Sequence, residues 1–321
     1  MRSRARAGGN AGGCVRVGAQ VRLLGCVAAL ALASAPAVAS AAQRTFATPE
    51  AAVTALVAAT RDGRLETLQR ILGPEGAQLL HSGDSVADRD GRARFVAAYD
   101  QAHQIEHPGS DKAVLVVGPE RWPLPIPIAR AAGRWHFDTT AGASEILDRR
   151  IGRNELNAIE VCRAYVAAQR EYARLQAGMG VRPQYAQHFM SRPGKRDGLY
   201  WVSEPGEASS PLGPLVAQAR AAGYGAGDRA PVRRPYEGYL FRIVTRQGAH
   251  AAGGGRDFIV DGHMTRGFAL IAYPARYRDS GVMTFIVNQD GIVFEKDLGP
   301  RTRALADRIR SYDPDSTWRI P

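Results

Sequence analysis

Apolar residues recur every three or four positions through much of the first half of the chain, and every second position in short runs near its C terminus. The first spacing places apolar side chains on one face of a helix, and the second places them on one face of a strand. Together the two patterns predict an α+β fold, in which helices pack against antiparallel sheets.

The first folded region is expected over residues 42–150 and should begin with helices. Helical spacing at Val53–Val57 and at Leu65–Leu72 is interrupted by Asp62-Gly63, which predicts two successive helices. Thr48 is a suitable N-cap for the first of them, because the proline that follows fits the first helical position. A third helix is expected after a weak capping box that starts at Ser85.

Three short β-type runs follow these helices, at Ala113–Val117, Trp122–Ala129 and Arg134–Thr139. Alternating prolines in the second run remove hydrogen-bond donors along one side, which predicts a strand at the sheet edge. Helices on a small antiparallel sheet resemble the cystatin-like and NTF2-like domains, and that resemblance implies a cone-shaped domain with an apolar pocket.

The second region, residues 151–321, is expected to pair one long helix with a terminal sheet. A basic joint at Ile146–Glu155 leads into helical spacing from Asn154 to Leu175. Four β-type runs between Gly238 and Glu295 are separated by turn residues, which predicts an antiparallel meander. We expect the first of these strands, at Tyr239–Thr245, to have one buried and one partly wet face. The buried faces should cover the apolar stripe of the helix, formed by Leu156, Ile159, Cys162 and Val166.

Four separated segments carry a resemblance to a known family: Asn154–Tyr172, Pro193–Trp201, Gly238–Ile243 and Gly281–Gly291. In this order they resemble the exported bacterial family catalogued as domain of unknown function 2950, over nearly all of the chain after residue 41. That family has no established function, so the resemblance implies no activity. The C-terminal part is also similar to the globular domain of type IV pilin-like proteins, which implies a helix packed on an antiparallel sheet.

Residues 1–41 have the composition of a signal peptide. Five arginines precede an apolar core at Leu23–Ala33, which is too short to span a bilayer, and Ala39-Ser40-Ala41 fits a signal peptidase site. The segment predicts export to the periplasm of a Gram-negative bacterium. No later apolar run reaches the length of a transmembrane helix, so the protein is not expected to span the membrane.

Charge and cysteine content change the expected partners. The first 41 residues hold five of the 42 Lys and Arg and none of the 31 Asp and Glu, so 37 basic and 31 acidic residues remain, a net charge of +6. This mild surplus is spread along the chain, and no nucleic-acid partner is expected.

Cys162 is the cysteine that remains after residue 41, so no intramolecular disulfide can form, and its place on the helix stripe predicts burial.

Residues with catalytic or metal-binding chemistry form no convincing motif. His81, Asp84, Asp88 and Asp90 have spacings that could bring ligands together, but an ordinary loop-to-helix junction explains them as well. His103 and His107 are four apart on a possible helix, without the glutamate of a zinc protease. We therefore predict no catalytic residue, no metal and no cofactor.

Basic and aromatic residues are the better candidates for a binding site. Arg149, Arg150 and Arg153 crowd the joint, where they could hold a carboxylate or phosphate or pair with neighbouring acidic residues. A second cluster could hold a sugar or peptidoglycan fragment, or could be a turn whose aromatic rings cover the terminal sheet. That cluster consists of Lys195, Arg196, Tyr200 and Trp201.

The sequence favours a non-catalytic binding or envelope-interaction module whose partner is an envelope protein or a glycan. The alternative is a cell-envelope hydrolase whose site is assembled only in three dimensions. A cleft that gathers His81 or His136 with a carboxylate would favour the enzyme, whereas a groove lined by Tyr200, Trp201 and arginines would favour the binder.

Overall fold

The helices are concentrated in the first half of the computed structural model, which describes residues 42–203, 206–225 and 234–321. The predicted signal segment, residues 1–41, lies outside the described residues. The helices are α1 (Pro49–Arg61), α2 (Leu65–Leu72), α3 (Gly76–Leu80), α4 (Ser85–Gln101), α5 (Thr139–Gly178), α6 (Gly213–Ala221) and α7 (Thr302–Ala306).

The caps of two predicted helices can be compared with the structure. The Thr48 hydroxyl accepts a hydrogen bond from the Ala51 N–H at 3.2 Å, which confirms the predicted start of α1. Helix α4 is capped by Asp84 and not by the predicted capping box at Ser85. The Asp84 carboxylate accepts hydrogen bonds from the N–H groups of Val86 and Ala87 at 3.1 Å each. An Asp caps as well as a Ser, and here it lies one residue earlier.

The first sheet is antiparallel and has the strand order β1-β2-β4-β5, with β3 paired to the far end of β2. Helices α1 and α2 pack on it around buried Leu56, Leu68, Leu115 and Phe137. The strands are β1 (His103–Gly109), β2 (Lys112–Val117), β3 (Trp122–Pro123), β4 (Ile128–Ala131) and β5 (Arg134–Phe137).

Two predictions for this sheet are wrong. The run from Trp122 to Ala129 is not one edge strand, because the chain leaves the ladder at Leu124–Pro127 and β4 then pairs with both β2 and β5. Pro123 thus ends β3, and Pro125 and Pro127 lie in the connection between β3 and β4. His103 and His107 lie on β1 and not on a helix, since α4 ends at Gln101 and β1 pairs with β2.

The second sheet is an antiparallel meander with the order β15-β14-β13-β8, which confirms the predicted meander and, with the helices, the α+β class. Shorter pairs of strands flank it. The strands are β6 (His188–Met190), β7 (Gly198–Tyr200), β8 (Tyr239–Val244), β9 (Arg246–Gln247), β10 (Arg256–Asp257), β11 (Ile259–Val260), β12 (His263–Met264), β13 (Ala269–Pro274), β14 (Met283–Asn288) and β15 (Phe294–Asp297).

Helix α5 is 40 residues long and has no break at the predicted joint. The joint contains no proline, and its single glycine, Gly152, is tolerated inside the helix. The early part of α5 packs on the first core through Ile146, and the later part packs on the second core. The division into residues 42–150 and 151–321 stays a prediction, and its boundary falls inside this helix.

The buried face of α5 differs from the predicted apolar stripe. Leu156 is 66% exposed, although Cys162 is fully buried as expected, and burial raises the pKa of the Cys162 thiol to about 12. Ile159 and Val166 of the predicted stripe are buried as well, and the buried face also includes polar residues. Between Asn154 and Gln176 the buried positions are Asn154, Ala158, Ile159, Cys162, Tyr165, Val166, Ala168, Gln169, Tyr172 and Gln176.

Hydrogen bonds explain why amide side chains occupy this buried face. Asn154 donates from Nδ2 to the Ser280 carbonyl oxygen at 2.9 Å. Gln169 donates from Nε2 to the Ala186 carbonyl oxygen and accepts from the Ala186 N–H, both at 2.8 Å. A buried amide with such partners avoids the cost of desolvation, so the face that meets the sheet need not be apolar.

Strand β8 also differs from its predicted pattern. Tyr239, Leu240 and Val244 are buried. Phe241 and Ile243, which lie on the same face as Tyr239, are only half-buried. The Arg242 guanidinium donates to the carbonyl oxygen of Ala306, at the end of α7, so the face that was expected to be partly wet is covered by that helix. Alternate residues point to opposite faces of a strand, and the less covered face is therefore the one that carries Phe241.

Replacing Gln169 with Met should lower the free energy of unfolding by at least about 2 kcal/mol, because both backbone groups of Ala186 would be left buried without a partner. The same substitution at exposed Gln218 should change it by less than about 0.5 kcal/mol. Urea denaturation of the two variants measures the difference. Equal stability would contradict a structural role for the Gln169 amide.

Candidate functional site

A half-open groove of about 1660 Å³ lies where α5, α6, β8 and the segment from β6 to β7 meet. Its volume exceeds the roughly 300–1,000 Å³ of ordinary small-molecule sites. Much of its wall is apolar, and the apolar side chains come from all four of these elements. They include Val161, Tyr165, Phe189, Met190, Leu212, Leu215, Val216 and Phe241.

Backbone contacts hold the β6–β7 segment and α6 beside each other. The Leu212 N–H, at the start of α6, donates to the Leu199 carbonyl oxygen at 2.9 Å, and the Ser191 N–H donates to the Tyr200 carbonyl oxygen at 2.8 Å. Gly198 is required here, since a Cβ at this position would lie 2.5 Å from the carbonyl carbon of Met190. These contacts fix the wall that carries Tyr200 and Trp201.

The rim of the groove is strongly basic. Five basic side chains line it, and Asp84 is the acidic residue among the described residues that line it. Two of the five cations are neutralised, because Arg192 pairs with Asp197 and Arg196 pairs with Glu207 at 2.6 Å. The other three have no ion pair within the described part of the chain, and they are Lys195, Arg220 and Arg234.

The two aromatic residues predicted for a binding site are covered by arginines. The Arg196 guanidinium lies 5.6 Å from the ring centroid of Trp201, and that of Arg220 lies 5.2 Å from the ring centroid of Tyr200. Trp201 is only 9% exposed, and its buried indole N–H has no hydrogen-bond partner among the described residues. An arginine thus occupies one face of each ring, and Trp201 is almost fully buried, which leaves little of its ring for a sugar to stack on.

Asp84 lies at one end of the groove and is 2% exposed. One carboxylate oxygen caps α4, and the other accepts from the Tyr224 hydroxyl at 3.0 Å and from the Gly238 N–H at 2.9 Å. Burial, with the nearby charge of Asp84, raises the pKa of Glu237. Burial likewise raises the pKa of Tyr224. Both oxygens of Asp84 are engaged in structural contacts, so it is poorly placed to accept a proton from a substrate.

The arginines of the predicted joint lie away from the groove. Arg149 pairs with Glu145 at 2.6 Å, as the alternative interpretation expected, and lies 5.7 Å from the ring centroid of Trp122. Arg150 donates to the carbonyl oxygens of α3 residues. Arg153 is exposed by its accessible surface, and desolvation of its guanidinium lowers the pKa of that group. The structure thus brings Lys195, Arg196, Tyr200 and Trp201 together but leaves Arg149 and Arg153 elsewhere.

The acidic residues near His81 have structural partners. The Asp88 carboxylate accepts from the Ser82 N–H at 3.1 Å, and Asp90 forms an ion pair with Arg94. Across residues 42–203, 206–225 and 234–321, no group of three or more His, Cys, Asp or Glu side chains is placed to hold a metal ion. The same part of the chain contains no helix that is long and apolar enough to cross a membrane.

Sequence reasoning missed most of the apolar wall. Phe189, Met190, Leu212 and Val216 are separated by Gly- and Pro-rich segments without regular spacing, so no periodic signal connects them. One sequence signal could have indicated part of this wall. Leu215, Val216 and Arg220 lie on one short helix, and this combination predicts a helix with an apolar face and a basic border.

The fold and the groove define an α+β protein with a large apolar groove bordered by positive charge. Residues 43–320 match the family described as "Protein of unknown function (DUF2950)", and the chain belongs to that family, as its sequence motifs indicated. No curated protein and no solved structure matched in the comparisons. The resemblance to pilin-like and cystatin-like folds therefore stays a prediction.

Replacing Asp84 with Ala should destabilise the protein by about 2–4 kcal/mol, because it removes a helix cap and leaves the Gly238 N–H buried without a partner. The matched control is Asp138→Ala, which removes the cap of α5 through a single bond to the Ala141 N–H and should cost about 1 kcal/mol. Thermal and urea unfolding of both variants provide the measurement. An equal loss would show that Asp84 acts only as a cap.

Proposed function

We propose that this chain is a non-catalytic binding protein of the periplasm, which holds an apolar partner in the groove between α5, α6 and β8. The observation that carries the proposal is the groove itself, whose walls keep apolar side chains from four elements accessible to a ligand. Contiguous apolar surface that a folded protein leaves uncovered commonly marks a binding site.

The lining residues support a binding role over catalysis. Tyr200, Trp201 and several arginines line the groove, which is the arrangement that sequence reasoning associated with a binder. His81 and His136 are not among the lining residues, and both carboxylate oxygens of Asp84 are occupied. No observation within the described residues favours the hydrolase alternative.

The groove also bears on the class of partner. An envelope protein and a glycan are both consistent with export, but an arginine already occupies one ring face of Tyr200 and of Trp201 on which a sugar could otherwise stack. The apolar wall favours a hydrophobic partner.

The periplasmic location rests on residues 1–41, and it has a direct test. N-terminal sequencing of the exported protein should find Ala42 as the first residue, because the small residues at Ala39 and Ala41 suit signal peptidase. Retention of residues 1–41 in the cytoplasmic fraction would contradict export.

Replacing Ala219 with Trp should weaken binding in the groove, because Ala219 lines it and a large ring there would occupy space beside the α6 wall. Ala217 is exposed on the same helix and does not line the groove, so Ala217→Trp is the matched control. The probe is N-phenyl-1-naphthylamine, a neutral fluorophore whose emission rises in apolar surroundings.

We expect fluorescence enhancement with the unmodified protein and with Ala217→Trp, and a loss of at least about tenfold in affinity with Ala219→Trp. Circular dichroism should show that both variants are folded. Failure of the unmodified protein to bind the fluorophore, or equal binding by both variants, would overturn the proposal that the groove is the binding site.

A further inference from the structure

We propose that the groove selects a single-chain amphiphile with an anionic head group, whose hydrocarbon chain lies along the apolar wall while Lys195 and Arg220 contact the anion. This inference rests on the proposed function and narrows it to one chemical class of ligand. Carboxylate, phosphate and sulfate head groups share the feature that is recognised, which is negative charge at the end of an alkyl chain.

The size and lining of the groove suit an apolar molecule. Its apolar wall includes Phe189 and Met190 of the β6 side, Val161 and Tyr165 of α5, and Leu215 and Val216 of α6. At about 1660 Å³ the groove is larger than most small-molecule sites, so it has room for an extended chain. An alkyl chain gains free energy from each methylene that it buries against such a wall.

The charge at the rim points to an anionic head group. Arg192 and Arg196 are already paired with acids, but Lys195 and Arg220 are exposed and have no ion pair within the described part of the chain. Arg220 does lie over the Tyr200 ring, which orients its guanidinium at the groove wall. Asp84, the acidic residue among the described lining residues, is buried and hydrogen-bonded through both carboxylate oxygens, so it does not oppose an anion at the exposed rim.

Displacement of N-phenyl-1-naphthylamine by defined amphiphiles tests the inference, with every compound below its critical micelle concentration. Dodecyl phosphate should displace the fluorophore at a concentration at least about tenfold lower than dodecyl maltoside, which has the same chain and a neutral head. Decyl phosphate, with two methylenes fewer, should bind about tenfold more weakly than dodecyl phosphate. Added salt should weaken binding of the phosphates but not of the maltoside.

Variants that remove one positive charge identify the residues that bind the anionic head group. Lys195→Gln and Arg220→Gln should each weaken dodecyl phosphate binding about three- to tenfold while changing dodecyl maltoside binding less than twofold. Arg308 is exposed, lies outside the groove and has no ion pair among the described residues, so Arg308→Gln is the control with the same change in net charge. It should bind both compounds as the unmodified protein does.

The outcomes separate this inference from the proposed function. Equal displacement by dodecyl phosphate and dodecyl maltoside would overturn anion selectivity while leaving the groove as an apolar binding site. Stronger binding of dodecyltrimethylammonium would overturn it as well. If the fluorophore binds but none of these amphiphiles displaces it, single-chain amphiphiles are excluded as ligands of the groove. If Arg308→Gln lowered phosphate binding as much as Arg220→Gln, the effect would reflect net charge, and the roles of Lys195 and Arg220 would be wrong.

Discussion

Helix α5 takes part in both hydrophobic cores, and this sharing constrains where every other large element can lie. With 40 residues and a rise of about 1.5 Å per residue, the helix is about 60 Å long. Its first turns approach the connection before β4 so closely that a Cβ at Gly142 would lie 2.2 Å from the Pro125 carbonyl oxygen. Its later turns carry Cys162 and Tyr165 into the core of the terminal sheet. A shift of the helix along its axis would disturb both cores.

Buried polar contacts hold this helix and its neighbours at one position. Apolar surfaces tolerate small displacements, but a buried amide is satisfied only when its partner lies at the correct distance and angle. The bonds from Asn154 to Ser280 and from Gln169 to Ala186 therefore set the register of α5 against the loops around the sheet. Asp84 has the same role at the start of β8, because it joins the N terminus of α4 to Gly238.

The groove follows from the placement of α5. The helix packs mainly on β13 and β14, so the face of β8 that carries Phe241 and Ile243 is only partly covered. Helix α6 and the β6–β7 segment stand beside that face without filling the space between them. The same segment carries Lys195 and Arg196, and α6 carries Arg220. The two elements that carry these cations thus also supply part of the apolar wall.

Local signals in the sequence were sufficient for many of the element types, several boundaries and the family. Thr48 and its proline defined the start of α1, and turn residues defined the terminal meander. These features depend on neighbours in the chain, so they can be read without tertiary structure. The cluster of Lys195, Arg196, Tyr200 and Trp201 was also visible, because its members are adjacent along the chain.

Tertiary structure decided the features that depend on distant partners. Leu156 is exposed, whereas Asn154 and Gln169 are buried. Hydrogen bonds to Ser280 and Ala186 offset the cost of burying the two amides. The spacing of residues in the sequence carries no information about such distant partners. The groove likewise required Val161, Val216 and Phe241 to meet from three separate elements. By itself the sequence determined several of the helices and the terminal meander. Long-range hydrogen bonds and packing decided which faces meet, because their energies depend on groups far apart in the chain.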